Sequence, residues 1–506
     1  MSPKPPSPRP SSSDPSPPTS PRTVLVSERV LLGGLGEPLR CVPAAVTLEG
    51  SVLGPCRDLS GLDAGERQRQ VEALSAGGGE VVDFGGRALT PAFVNAHTHL
   101  VLGFLRAFPV HGSLEGNVVE DLFFRIETRI GPEDVRAFTR MGAYECLLHG
   151  VGMVWDHYYE GEALAAGLAD IGLGGVVAPT LQDLGGPGKD RHDPQLAATE
   201  AIAGDVDLQS RGIFAALGPH ATDTVSADLW RRAAEVGRRL DLPLHAHAAQ
   251  SVEEYERAVE RHGVSPFRWL ADLGVLSEAP RSLLVHCLYA SRDDLRAMDP
   301  ERVALGFCPY AQRIFGFPAD PWEWADAGLP FVLGTDVSAG NDSSNVQKEM
   351  RAVAELRTAP VASSTPYGRF LDSGDLDSAR DVWRDRERRF GVRGAFGDPA
   401  ALLSRVWSVP GGLHPGFRAG ALEPGALANV AVWDVDHPSF WPCFDGRSLL
   451  TTLALGDTTQ ALHALWVAGR PVGTAGDFHR SLVTSDAYRD ARREAEGRLR
   501  VLLDAV

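Results

Sequence analysis

The chain has 506 residues, 43% hydrophobic and 23% charged, which is enough apolar material for a sizeable core and argues against global disorder. Its 49 basic and 66 acidic residues leave a formal charge of −17, which argues against a general nucleic-acid or anionic-membrane surface. The length allows about three domains, or one (β/α)8 barrel with additions, and the composition excludes a fibre, a coiled coil and a disulfide-dense module.

The first 21 residues hold nine prolines and seven serines. Such a segment cannot repay its ordering entropy by burial, and it lacks the apolar stretch of a signal peptide. Residues 1–22 are therefore expected to be a disordered tail. No run of 18 apolar residues occurs, so no membrane span is expected. Cys41, Cys56, Cys146, Cys287, Cys308 and Cys443 are scattered without a C-x-x-C pair, which fits reduced thiols in a cytoplasmic protein.

From residue 23 to 90, short β-rich pieces alternate with glycine turns, with one helix near 62–76. From 91 the rhythm changes to short apolar runs separated by amphipathic helices such as EDVRAFTRMGAYECLLHG. Eight runs read as strands: 92–100, 151–159, 174–183, 212–220, 242–250, 282–290, 302–310 and 329–336. Eight alternating units predict an α/β fold, a (β/α)8 TIM-like barrel over 91–404. A doubly wound sheet is the alternative, but no Gly-x-Gly-x-x-Gly follows the first strand. Residues 405–480 are β-rich again and are expected to join 23–90 in one small, sandwich-like β-domain. Residues 481–506 read as a final helix.

Polar residues gather at the expected strand ends, where barrel enzymes place their chemistry. His97 and His99 end the first strand, His157 the second and His220 the fourth. His245 and His247 end the fifth, His286 lies in the sixth and Asp336 ends the eighth. An H-x-H on a strand points both imidazoles to one side. His97, His99, His247 and Asp336 form a donor set for Zn²⁺, with Fe²⁺ also suited, and could leave a position for an acidified water. The only lysines are Lys4, Lys189 and Lys348. None ends the fourth strand, where a carbamylated lysine could bridge two metals, so one metal per subunit is expected.

Six stretches, LTPAFVNAHTHL (89–100), GPHATDTVSADL (218–229), HAHAAQSVEEYE (245–256), LLVHCLYAS (283–291), VLGTDVSAGNDSSN (332–345) and AGALEPGALANVAVWD (419–434), carry a resemblance. In that order they resemble the metal-dependent amidohydrolases, in the branch of guanine deaminase, chlorohydrolase-like and methylthioadenosine/S-adenosylhomocysteine deaminase-like enzymes. The resemblance implies His97, His99, His247 and Asp336 as ligands, with Asp336 also taking a proton from the attacking water. It implies that His286 steadies the tetrahedral intermediate and that His220 touches substrate. His245 reads as a support for the ligands or as packing.

One departure matters. Deaminases of this branch have H-x-x-E, where this chain has His247-Ala248-Ala249-Gln250. Glutamine can donate and accept hydrogen bonds but cannot shuttle a proton. Glu253 or Glu254 could substitute, or could be ordinary solvated residues. Arg106, His111 and Glu120 in the first βα loop, His157, and Ser338 after strand eight are further candidates to line the pocket, each with a plain structural alternative.

The expected function is therefore a mononuclear metal hydrolase of C–N bonds, an aminohydrolase of a purine- or pyrimidine-like ring. Alternatives are hydrolysis of an acyclic amide, formimino or chloro-substituted substrate, or a non-catalytic barrel scaffold. The expected partner is a small molecule, not a nucleic-acid polymer or membrane, and the resemblance implies a homo-oligomer.

Overall fold

Strand-forming residues from the two ends of the chain meet in one sheet. The computed structural model describes residues 22–504, apart from 36, 77, 108–118, 317–320, 338–342, 357–364 and 393–397. The proline- and serine-rich residues 1–21, His111 and Ser338 thus lie outside the described residues. The terminal sheet runs in the order Arg470–Val472, Leu462–Val467, Val430–Trp433, Ala88–Pro91, Arg22–Leu32, Arg40–Glu49, Val52–Asp58. Glu80–Asp83 lies parallel to Arg22–Leu32. The seam between the two chain ends is antiparallel, Val430 opposite Pro91 and Trp433 opposite Ala88. The Trp433 indole N–H donates to Thr90 Oγ1 at 2.9 Å, so this buried polar group is satisfied.

The middle of the chain is parallel α/β. Phe93–Thr98, Val151–Tyr158, Gly174–Leu181 and a fourth strand split into Ile213–Ala215 and Gly218–Pro219 form one parallel sheet. Leu244–Ala248, Ser282–His286, Val303–Phe307 and Phe331–Leu333 form a second. Parallel bridges join them at both seams, Leu217 with Leu244 and Thr98 with Asp336. The ring of strands encloses a small apolar cluster that includes Val94, Met153, Trp155, Val176, Val285 and Val332. Leu413, Phe417 and Leu427 from the later part of the chain pack onto the same cluster.

The seventh predicted run overreaches. The strand stops at Phe307, and Pro309 opens a helix, Pro309–Ile314. Proline has no N–H to lose at a first helical position and carries a suitable φ. Gly334 lets the eighth strand close onto the first: a Cβ there would sit 2.6 Å from the His97 carbonyl oxygen. This contact brings Asp336 against the histidines of strand one. Among the described residues no helix is long and apolar enough to cross a membrane.

Candidate active site

The strand ends leave the extended path sharply. His286 (φ 74°), Asp336 (φ 55°) and Ala249 (φ 48°) are non-glycine residues in the left-handed region. Such strain persists where surrounding contacts over-determine it. At Asp336 those contacts are visible. Its N–H donates to the His97 carbonyl at 3.0 Å, and its carbonyl accepts from Thr98 Oγ1 at 3.2 Å. Asn95 and Thr335 add two more bonds across the seam, at 2.7 and 3.0 Å.

The imidazoles converge around one point. The Nε2 atoms of His97 and His99 each lie 3.5 Å from Asp336 Oδ1. The His247 ring centroid lies 5.0 Å from that of His97 and 5.5 Å from that of His99. Their other nitrogens are occupied. His99 Nδ1–H donates to the His157 carbonyl at 2.6 Å and His247 Nδ1–H to the His220 carbonyl at 2.8 Å. A neutral imidazole that donates from Nδ1 presents a lone pair at Nε2, which a metal requires. His97 Nδ1 meets His245 Nε2 at 2.9 Å, and His97 Nε2 is buried with no hydrogen-bond partner.

Burial is the main cause that pushes the His97 and His247 rings well below the usual histidine range. It lowers His99 as well, against the opposing pull of Asp336. All three are therefore neutral near pH 7 without having to lose a proton to bind a cation. Orphaned, neutral, convergent nitrogens beside one carboxylate fit a borderline divalent ion. Lys189 and Lys348 are exposed and line no part of the cleft.

The cleft around these residues has about 1380 Å³ of free space, its open mouth included. His157, His220, His286, Gln250 and Asp336 line it. His157 Nδ1 is 3.1 Å from Thr180 Oγ1, leaving Nε2 buried and unpartnered. His220 Nδ1 is 2.9 Å from Thr224 Oγ1. His245 does not line the cleft; it backs His97. Arg106 does not line the cleft either; its guanidinium lies 2.7 Å from Glu145. Asp156 accepts the Leu100 N–H at 3.0 Å and holds the turn after strand one, while burial pushes its carboxyl up to about 8.

Two acids and an amide in the wall are less evident from sequence. Glu254 is buried, accepting from Thr222 N at 3.1 Å and Gln250 N at 2.8 Å, with burial foremost in pushing it up to about 7. Glu127 is 7% exposed, and burial pushes it up to about 8 against the opposing effect of the Tyr158 hydroxyl. Gln312 lies beside His286. Glu127 sits in FFRIET and Gln312 in CPYAQRIF, segments whose apolar pattern signals packing and gives no hint of a cleft.

A sequence model of the Amidohydrolase family matches residues 88–370. The chain belongs to the amidohydrolase family. It is 28% identical over 425 residues to a 5-methylthioadenosine/S-adenosylhomocysteine deaminase of Natronomonas pharaonis, covering 83% of this chain and 89% of that protein. It is 27% identical over 371 residues to a 5'-deoxyadenosine deaminase of Methanothrix thermoacetophila, covering 72% and 86%. An adenosine deaminase structure from Xanthomonas campestris with bound zinc superposes with a TM-score of 0.71 at 20% identity, covering 96% of this chain and all of that one. An atrazine chlorohydrolase structure from Arthrobacter aurescens, complexed with zinc, gives 0.69 at 19% identity, covering 94% and 99%. This amidohydrolase is a metal-dependent, deaminase-like hydrolase of C–N bonds on a barrel scaffold.

Proposed function

We propose that this amidohydrolase is a zinc-dependent deaminase of an adenosine derivative. The observation that carries the reading is the set of three neutral histidines, His97, His99 and His247, facing Asp336 at the floor of a cleft roomy enough for a nucleoside. The curated relatives point to the same substrate class. Zinc bound at this donor set supplies a Lewis acid that brings water toward ionisation at neutral pH.

The chain's own residues do the rest. Asp336, held by strand one, takes a proton from the attacking water and hands it to the departing amine. His286, facing the same point, donates to the oxygen as charge develops on it. Gln250 steadies a ring nitrogen by hydrogen bonding without protonating it, and His220 and His157 fix the ring's orientation. Arg106, paired with Glu145, is assigned no part in this reading. The reading carries one ion per subunit, a cytoplasmic homo-oligomer and a small-molecule substrate, in keeping with six unpaired cysteines.

Gln250 favours one second reading, hydrolysis of a chloro-substituted ring, in which the leaving group needs no proton. The test is a panel of adenosine, 5'-deoxyadenosine, methylthioadenosine, guanine and a chlorotriazine with the zinc-loaded enzyme. Ammonia release from the adenosines is the expected result. Chloride release with no ammonia from any of them would replace this reading by the second.

A further inference from the structure

His97, His247 and His286 present nitrogens within 4.8 Å of one another, so geometry alone would allow His286 to be a metal ligand. Its neighbour decides otherwise. Gln312 is 3% exposed, lines the cleft, and places its Nε2 3.4 Å from His286 Nδ1. An amide nitrogen only donates, so His286 Nδ1 accepts and the ring's proton sits on Nε2. With the amide in this orientation its Oε1 is buried without a hydrogen-bond partner. The helix that carries Gln312 is itself anchored: Glu349 accepts the Tyr310 N–H at 3.0 Å, and Gln312 N–H bonds the Cys308 carbonyl at 3.0 Å.

We propose that Gln312 is the positioning residue that fixes His286 as an Nε2–H donor, and that its buried Oε1 accepts an N–H from the amine-bearing edge of the substrate. The second half rests on the deaminase reading; the first does not. An imidazole protonated at Nε2 cannot ligate through that atom. The inference therefore separates His286 from the ligand set and gives it the polarity that a developing oxyanion needs. It also gives the cleft an acceptor positioned by the same amide, so that substrate and His286 are aligned by one side chain.

The tautomer is read directly by long-range proton–nitrogen NMR of protein labelled with nitrogen-15 histidine, zinc-loaded and metal-free. The His286 signals are assigned by their loss in His286→Asn. The expected spectrum has a protonated Nε2 and a lone pair on Nδ1 in both states. A protonated Nδ1, or a zinc-shifted Nε2, overturns the proposal even in a fully active enzyme. If no aminopurine is turned over, the functional reading fails, and the same spectrum still decides the tautomer.

Kinetics give the second arm. Gln312→Met removes donor and acceptor, so kcat falls about 10- to 100-fold and KM rises, with zinc content kept. Gln312→Glu keeps an acceptor, but its carboxylate draws the proton to His286 Nδ1, so kcat falls as far while KM changes less. Wild-type kcat in both variants would overturn the proposal.

Discussion

Two sets of buried side chains, here called the histidine wall and the acid wall, line or back the cleft, and burial treats them in opposite ways. On one, His97, His247 and His286 are bases that burial drives below their ordinary range. On the other, Glu127 and Glu254 are acids that burial drives up, to about 8 and about 7. The cause is the same, since a site withdrawn from water resists charge of either sign. The outcomes differ: the bases keep free lone pairs for a cation, and the acids retain protons at pH values where exposed carboxyls have lost them.

Breaking the histidine wall has the largest expected effect. His247→Asn removes one donor and its ring's bond to the His220 carbonyl, so zinc content falls below about a tenth of an equivalent and kcat falls at least about 10³-fold. Plasma emission spectrometry and ammonia assay read the two. Asp336→Asn keeps the shape but not the base and gives a loss of about 10³-fold with part of the metal retained. Full metal content and near-normal turnover in either variant would mean the histidines are only packed together.

The acid wall responds less and mainly through stability. Glu254→Gln turns an NH2 group toward backbone N–H donors that now have carboxyl oxygens to bond. A loss of about 2–3 kcal/mol is expected, read as a lower denaturation midpoint, with KM rising as Gln250 loses its anchor. Gln250→Glu tests the missing proton carrier. A carboxyl at that position is expected to raise kcat on aminopurines about tenfold and leave a chlorotriazine unchanged. A fall in ammonia release would instead show that the glutamine is itself required.

The two walls were unequally legible in the sequence. His97 and His99 are two apart on one strand, and period-two geometry places both on one side before any fold is known. Asp336 ends the last apolar run, so topology brings it beside the first strand. His245 and His247 share that same spacing, yet only His247 reaches the centre. The His247 ring meets the His220 carbonyl, whereas the His245 ring meets His97 Nδ1 and stays behind it. The sequence pattern makes Arg106 a candidate for the cleft; Glu145, 39 residues on, holds it outside. Glu254 reads either as a substitute proton carrier or as one of several solvated acids in SVEEYE until Thr222 is seen beneath it. Gln312 lies just past the run 302–310 that reads as strand, and it is carried to the cleft because Pro309 starts a helix there. In each case the deciding partner is distant in sequence.

A dependence on pH separates the walls by sign. Glu127 has a folded pKa raised above its unfolded value by burial. Its contribution to stability is therefore complete below about pH 4.5 and is lost as pH rises toward about 8, because only the unfolded chain gains by ionising there. Buried histidines run the other way: the unfolded chain is protonated below about pH 6.5 and the folded one is not, so their share improves as pH rises to that point. Wild-type stability mixes both slopes, and Glu127→Gln removes one. The variant should gain on the wild type as pH rises from 5 to 8, by at most about 1.4 kcal/mol per pH unit and by a few degrees in Tm overall. Parallel melting curves at pH 5, 6, 7 and 8 measure the difference, in which the histidine terms cancel. A difference that stays flat with pH would mean that Glu127 is ionised in the folded cleft, and the two walls would then not share a cause.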